Sequence, residues 1–409
     1  MDTLLDRFCR YVKVETTAVE QTDKYPSSPG QLELGRMLVG ELRALGVSDA
    51  AQDEHGIVLG TIPATASGVP AIAWFAHLDT SPEFTAKNVK PVVHRNWDGK
   101  DIVLPGDASR VIRVSETEAL GKLKCKTLIT SDGTTLLGAD DKSGVAVIMT
   151  ATAALLADRS IAHGPIRVVF TCDEEVGRGV DKVDLKKINA VCGYTLDGEC
   201  IGELDNETFS ADQAIVTITG KNIHPGLATG KMINAIRLMG QFISRMPWLR
   251  LAPETTSGRD GFLHPYVLEG GVHEAKLRVI LRSFVTAELE SHAAVLRRIA
   301  DSMMAEHPGA KVGVEIKKQY RNMKEALDRD PRCVDLAAKA IRAAGLEPQY
   351  KSIRGGTDGS RLSEIGLPTP NLAVGMHNFH SPLEFACLEE METSVRVLIE
   401  LAKLWGKER

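Results

Sequence analysis

The chain has 409 residues, 43% hydrophobic and 25% charged, the balance of a water-soluble globular protein long enough for more than one core. A formal net charge of -5 leaves no excess of base to hold a phosphate backbone, which argues against a nucleic-acid partner. No run is apolar for the thickness of a bilayer, and the N-terminal "MDTLLDRFCRYVKVET" lacks the apolar centre of a signal peptide, so no membrane partner and a cytoplasmic location are expected.

In chain order, residues 31–45, "QLELGRMLVGELRAL", space their leucines and Met37 for a helix, with Pro29 before the start and Gly46 as the stop. Short apolar runs at 71–79, 165–175, 190–199 and 367–375, each bounded by turn residues, predict buried strands. Helical stretches at 144–158, 332–345 and 389–405 lie between or after them, which gives an α/β fold with a mixed sheet covered by helices. From about 208 the pattern changes. "AIVTITG", "EAKLRVILRSF" and "KVGVEIKKQY" predict strands with one polar face, alternating with helices near 232–246 and 286–306. An α+β domain is therefore expected to be inserted at 208–321, and residues 1–207 and 322–409 together make the other domain. "DGKDIVLPGD" at 98–107 lacks the order of a calcium loop and reads as turns. The seven cysteines form no C-x-x-C pair and have no zinc-thiolate spacing, so reduced thiols are expected.

"TLLGADDKSGVAVIM", 135–149, sets Asp140 and Asp141 between two apolar stretches. "HLD" (77–79), "DEE" (173–175), "LDGE" (196–199) and "HNFHSP" (377–382) likewise fall at strand or loop ends. Carboxyl ends of strands in an α/β sheet share one edge, where ligand sites gather. Each segment alone has a plain reading: a hydrogen-bonded His-Asp pair, a solvated acidic loop, a turn before Gly198, a loop histidine. Their conjunction is harder to explain that way. Carboxylates brought to one point repel unless protonated or neutralised by cations, and two divalent ions would satisfy such a cluster.

"FAHLDTSPEF", "LITSDGTTLLGADDKSG", "DEEVGRG", "YTLDGE", "NIHPGLATG", "IRGGTDGSRLS" and "NFHSPLEF" resemble, in order and spacing over nearly the whole chain, the motifs of the peptidase T family in the dinuclear zinc exopeptidase superfamily. The resemblance implies a zinc-peptidase catalytic domain with an inserted lid, hydrolysis of the N-terminal residue of tripeptides, and two zinc ions per subunit. By position, Asp140 would bridge the two ions, His77 and Asp197 completing one site and Glu175 and His380 the other. Asp79 would fix the tautomer of His77. Glu174, expected to point away from Glu175 along an extended segment, would be the general base. Asp141 would shape the turn, and Gly144 would let the following helix pack closely.

His224 of the inserted domain would reach the oxyanion, or else cap the turn before Pro225. Arg282 and Arg354 would grip a peptide carboxylate, with surface ion pairing as the alternative. Asn378, a candidate substrate contact, and Glu384 flank His380 and would support the metal ligands or else bond within their loop. Relatives usually carry a tyrosine at the place of His377 and a lysine-histidine pair at Pro382 and Leu383. His377 is therefore a second candidate ligand, ranked below His380. Superfamily relatives often dimerise through the lid, so a homodimer is an expectation of the same kind. A dizinc deacylase or a peptidase of other length preference is the alternative within this chemistry; a zinc-dependent peptide-binding protein without turnover is the alternative outside it.

Overall fold

Four strands, Ile72–His77, Ile166–Thr171, Cys192–Gly198 and Asn371–Ala373, place apolar residues on both of their faces. They run parallel to one another at the centre of an eight-stranded sheet. The computed structural model that establishes this describes residues 2–409. Further strands flank the parallel core: Val58–Ile62, antiparallel to its neighbours, and Ala51–Gln52 at one side, Glu203–Thr208, antiparallel to Asn371–Ala373, and then Gln349–Ile353 at the other.

Period-two alternation distributes the core. Ile72, Trp74 and Ala76 face one helical layer, while Ala73 and Phe75 face a smaller cluster with Val180, Ile188 and Leu362. Burying one such large side chain contributes about 1.5 to 3 kcal/mol. The first layer is built by helices Leu4–Tyr11, Ala139–Ala157, Arg332–Ala343 and Leu388–Trp405. The helix read at 31–45 spans Pro29–Leu45 and ends on Gly46 at φ 110°, a conformation that suits glycine.

The chain divides into two compact units. The first comprises Met1–Asn206, Met323–Lys351 and Thr357–Arg409; the second comprises Glu207–Asn322 together with Ser352–Gly356. The second unit thus takes in a short return segment that the sequence reading left in the catalytic domain.

The second unit has an antiparallel sheet ordered Phe262–Gly270, Glu274–Ser283, Ser210–Thr219, Lys311–Tyr320, with helices Ala235–Arg245 and Glu288–Glu306 supplying its apolar cover. The edge strand Phe262–Gly270 was not expected. It carries Pro265 beside a register shift, a break in alternation that hides a strand from pattern reading and is tolerated at an edge.

A second antiparallel sheet in the first unit joins Met376–His377, Phe385–Cys387, Leu128–Thr130 and Val92–His94. Residues 98–107, read as turns, contribute Ile102–Val103 to a two-stranded ribbon with Val111–Ile112. Strands this short show no period to detect. No described helix is long and apolar enough to cross a membrane.

Candidate metal centre

The parallel strands end level with one another: His77 pairs with Thr171, and Gly198 with Ala373. His77 is the last residue of its strand and Asp197 lies one before the end of its own. "DEE" follows the strand Ile166–Thr171. Asp140 stands at the start of helix Ala139–Ala157, where Asp140 (ψ 105°) and Asp141 leave helical geometry, joined by a cis peptide bond. His380 lies in the hairpin loop between Met376–His377 and Phe385–Cys387, at φ 60°.

These ends deliver side chains to two clusters that share Asp140. Asp140 Oδ1 lies 2.9 Å from His77 Nε2, with Asp197 Oδ1 3.8 Å from the same nitrogen. Asp140 Oδ2 lies 3.3 Å from His380 Nε2, which is 2.9 Å from Glu175 Oε2. Within each group the potential ligand atoms lie inside 4.8 Å of one another. Imidazole nitrogen and carboxylate oxygen are the donors expected at a catalytic zinc or another borderline divalent ion. Glu175 Oε1 is buried with no hydrogen-bond partner, the kind of orphaned acceptor that a cation would satisfy. The residues present fit a pair of divalent ions.

Protonation follows the crowding. Burial pushes Glu175 up to about 8 and Asp197 up to about 7, and the Asp140 charge raises both in the same direction. Although burial works the other way, hydrogen bonds to His380 and His77 hold Asp140 below the usual carboxylate range. Hydrogen bonds to Asp140 and Glu175 hold His380 up at about 11. Cations entering this site would displace those protons.

A surrounding layer orients the ligands. His77 Nδ1 lies 3.1 Å from the Asp79 carbonyl oxygen and 3.4 Å from its carboxylate. Those two acceptors leave Nε2 for the centre. The buried Asp79 carboxylate also accepts the backbone N–H groups of Glu174 and Glu175, at 3.1 and 3.0 Å. Asp79 thus fixes both the histidine and the acidic loop.

That loop is a turn and not the extended segment expected. Asp173 adopts φ 64°, held by Ser27 and Gln31, and the Gly177 N–H donates to the Glu174 carbonyl. Strand alternation therefore does not set the direction of Glu174 relative to Glu175. Among the described residues no hydrogen bond holds the Glu174 carboxylate, while burial pushes its pKa well above the usual range.

Two contributors, Glu83 and Asp358, escaped the sequence reading, and Glu384 was named there. Glu83 Oε2 lies 3.4 Å from His380 Nδ1 and orients that ring. Asp358, buried where the "TDG" of 357–359 starts a helix, accepts from Thr171 Oγ1 at 2.8 Å. Glu384, left open as a loop hydrogen-bonder, accepts from the N–H groups of Leu137 and Gly138 at 2.7 Å and Asp140 at 3.0 Å. It couples the His380 hairpin to the turn that presents Asp140. Carboxylates spaced in sequence from their partners offer no local pattern by which to find them.

The remaining candidates make contacts within their own units. Asn378 donates to the Leu383 carbonyl at 3.3 Å, so its amide staples its own loop. His224 is exposed in the second unit, and its Nδ1 accepts from the Gly226 N–H at 3.2 Å, the capped turn before Pro225. In the same unit, Arg354 donates to the Gly258 carbonyl and Thr256 Oγ1 and stands over the rings of Phe209 and Phe262. Arg282 donates to the Arg354 carbonyl at 3.0 Å, and its buried Nε has no partner among the described residues. Asp141 accepts the N–H groups of His77 and Gly144, both at 3.1 Å, tying a strand end to the helix.

A family model described as peptidase family M20/M25/M40 matches residues 133–404, a span that contains Asp140, "DEE", Asp197 and His380. The chain belongs to this family. The M20 chain is 45% identical to peptidase T of Geobacillus thermodenitrificans over 98% of both sequences. Among solved structures it is similar to the aminopeptidase PepT from Bacillus cereus, with TM-score 0.77, 26% identity and coverage of 99% and 98%. It shares a fold with a Bacillus subtilis protein described as a dinuclear metal binding peptidase of the M20 family, with TM-score 0.67, 15% identity and coverage of 98% and 96%. The M20 fold therefore puts a candidate metal centre of two clusters sharing one aspartate at the carboxyl edge of its sheet.

Proposed function

We propose that this chain is a cytoplasmic, zinc-dependent aminopeptidase that removes the N-terminal residue of tripeptides. The observation that carries the reading is Asp140, whose two carboxylate oxygens face separate His-plus-carboxylate clusters. The near full-length similarity to peptidase T supports the substrate class.

His77, Asp140 and Asp197 would hold one zinc ion, and Asp140, Glu175 and His380 the other. When bound, the two ions would polarise the scissile carbonyl and lower the pKa of water. Glu174, free of hydrogen bonds and with its proton affinity raised by burial, takes a proton from the attacking water and delivers it to the leaving amine. Asp79 keeps His77 in one tautomer, and Glu83 does the same for His380. His224, Arg282 and Arg354 are assigned to recognition of the peptide, and the second unit to a lid that also makes a homodimer.

The test is hydrolysis of tripeptides with free and with blocked amino ends, alongside dipeptides, tetrapeptides and N-acylated amino acids, before and after chelation. Cleavage of free tripeptides alone, lost on chelation and regained with zinc, is the expected result. Turnover that survives chelation, or preference for acylated substrates, would overturn the reading.

A further inference from the structure

Two of the strands that feed the candidate centre carry a further set of metal-ligating side chains. Glu199 and Cys200 directly follow strand Cys192–Gly198, and His377 ends strand Met376–His377. None of the three belongs to the clusters that share Asp140, which contain no sulfur.

His377 is 1% exposed and is held on two sides. Its Nε2 lies 2.8 Å from Glu390 Oε2, and its ring stacks on Phe385 with centroids 4.8 Å apart. Nε2 donates to the Glu390 carboxylate; although burial works the other way, the contacts with Cys200, Glu199 and Glu390 raise His377 to about 11, so Nδ1 also carries a proton, which leaves when a metal takes its place. This is the carboxylate–histidine pairing that accompanies metal-bound imidazoles. Nδ1 faces Glu199 Oε1 at 3.7 Å and the free thiol of Cys200 at 4.0 Å. The first distance exceeds a hydrogen bond, and a thiol is a weak partner, so a buried ring nitrogen is aimed at two ligands without a strong bond to either.

The spacing suits an ion. Across a tetrahedral zinc with usual bond lengths, N, O and S ligand atoms sit about 3.3 to 3.6 Å apart. Closing the two contacts of His377 needs movements of a few tenths of an ångström, and the Glu199 and Cys200 ligand atoms lie within 4.8 Å of each other. Glu199 is 45% exposed on its side chain, so it is free to adjust. The three residues border a cavity of about 800 Å³ whose lining carries Glu116, Glu389 and Glu390 beside Lys126, with Lys122 and Lys351 paired to Glu118 and Glu203. Carboxylates outnumber lysines there, which favours a cation.

We propose that Glu199, Cys200 and His377 form a third, mononuclear zinc site, with its fourth position open to water from the cavity. On binding, the Cys200 thiol becomes a thiolate bonded to the ion, and its proton leaves to solvent. The ion joins the end of the Asp197 strand to the strand that opens the His380 hairpin. The site is distinct from the proposed dizinc centre and does not require that centre to be catalytic.

The test uses the whole protein dialysed against zinc and, in parallel, against cobalt. Wild type should retain three equivalents of zinc and show a sulfur-to-cobalt charge-transfer band, a signature that ligands of nitrogen and oxygen alone cannot produce. Cys200→Ser should retain two equivalents, lose the band and keep wild-type peptidase activity. Wild type holding no more than two equivalents without the band would overturn the proposal, as would a band that persists in Cys200→Ser. Failure of the tripeptidase reading would show instead in the substrate panel and leave these counts unchanged.

Discussion

The two principal sheets bury their residues in different ways, and the difference separates chemistry from scaffolding. In the first unit, strand Ile72–His77 is buried at every position because helices and a second cluster cover both faces. Its polar residues are pushed to the carboxyl ends, where His77, the "DEE" loop and Asp197 meet. In the second unit, strand Glu274–Ser283 alternates, with Ala275, Leu277, Val279 and Leu281 buried and the intervening side chains more open. That sheet has one apolar face and one polar face, lined by Gln213, Lys276, Arg278 and Glu315. A parallel sheet concentrates function at an edge, whereas a one-sided antiparallel sheet spreads polar groups over a surface.

The contrast breaks most easily at Glu174. If the edge of the parallel sheet carries the chemistry, Glu174→Gln should lower kcat by about 10²- to 10⁴-fold, the range for loss of a positioned acid-base group. Metal content and thermal midpoint should stay near wild type, because no hydrogen bond holds that carboxylate. Steady-state kinetics beside metal analysis checks this, and retained turnover would remove Glu174 from the mechanism.

The converse variant lies in the second unit. Phe242 is fully buried on helix Ala235–Arg245 against the antiparallel sheet. Phe242→Ala should cost about 3 to 5 kcal/mol of stability through lost burial and a cavity. Denaturant unfolding monitored with metal analysis should show weaker folding with unchanged metal content.

Much of this organisation was legible from residues. The strands of the parallel core announce themselves because burial on both faces yields unbroken apolar runs such as "AIAWFAHLD". The acids and histidines that cluster were legible for the same reason, being abrupt polar ends to apolar runs. What stayed hidden lacks a local signature. The Met376–His377 sheet uses strands of two or three residues, and Phe262–Gly270 is interrupted at Pro265. Glu83 and Asp358 act across long sequence separations, and the left-handed turn at Asp173 depends on the distant Ser27 and Gln31.

A pH series sharpens the account of the sheet interior. Asp205 is buried, and burial pushes its carboxyl up to about 6 even though Asn371 donates to it at 2.8 Å. Its folded value lies above its unfolded one, so the neutral acid favours folding. That stabilisation is full below about pH 4 and is lost as pH rises through 6. Asp205→Asn keeps an acceptor for Asn371 without the charge. It should raise stability above pH 6 by about 3 kcal/mol and flatten the profile between 4 and 6. Denaturant midpoints measured across that window check both signs.

Gly144 is where the packing of the parallel sheet and the geometry of its edge meet. A Cβ there would stand 2.1 Å from the Leu196 carbonyl oxygen and 2.4 Å from Asp141 Oδ1, so the helix carrying Asp140 approaches the Asp197 strand as closely as it does only because the side chain is absent. Gly144→Ala must push the helix from the strand or displace the Asp141 carboxylate, which holds the N–H groups of both His77 and Gly144. Overpacking of this kind costs about 1 to 3 kcal/mol. Either movement also separates Asp140 from Asp197 and His77, so loss of stability should come with weaker metal retention during dialysis. A variant that loses stability yet holds its metal unchanged would mean that the edge tolerates helix displacement, and the close approach at Gly144 would then serve packing alone.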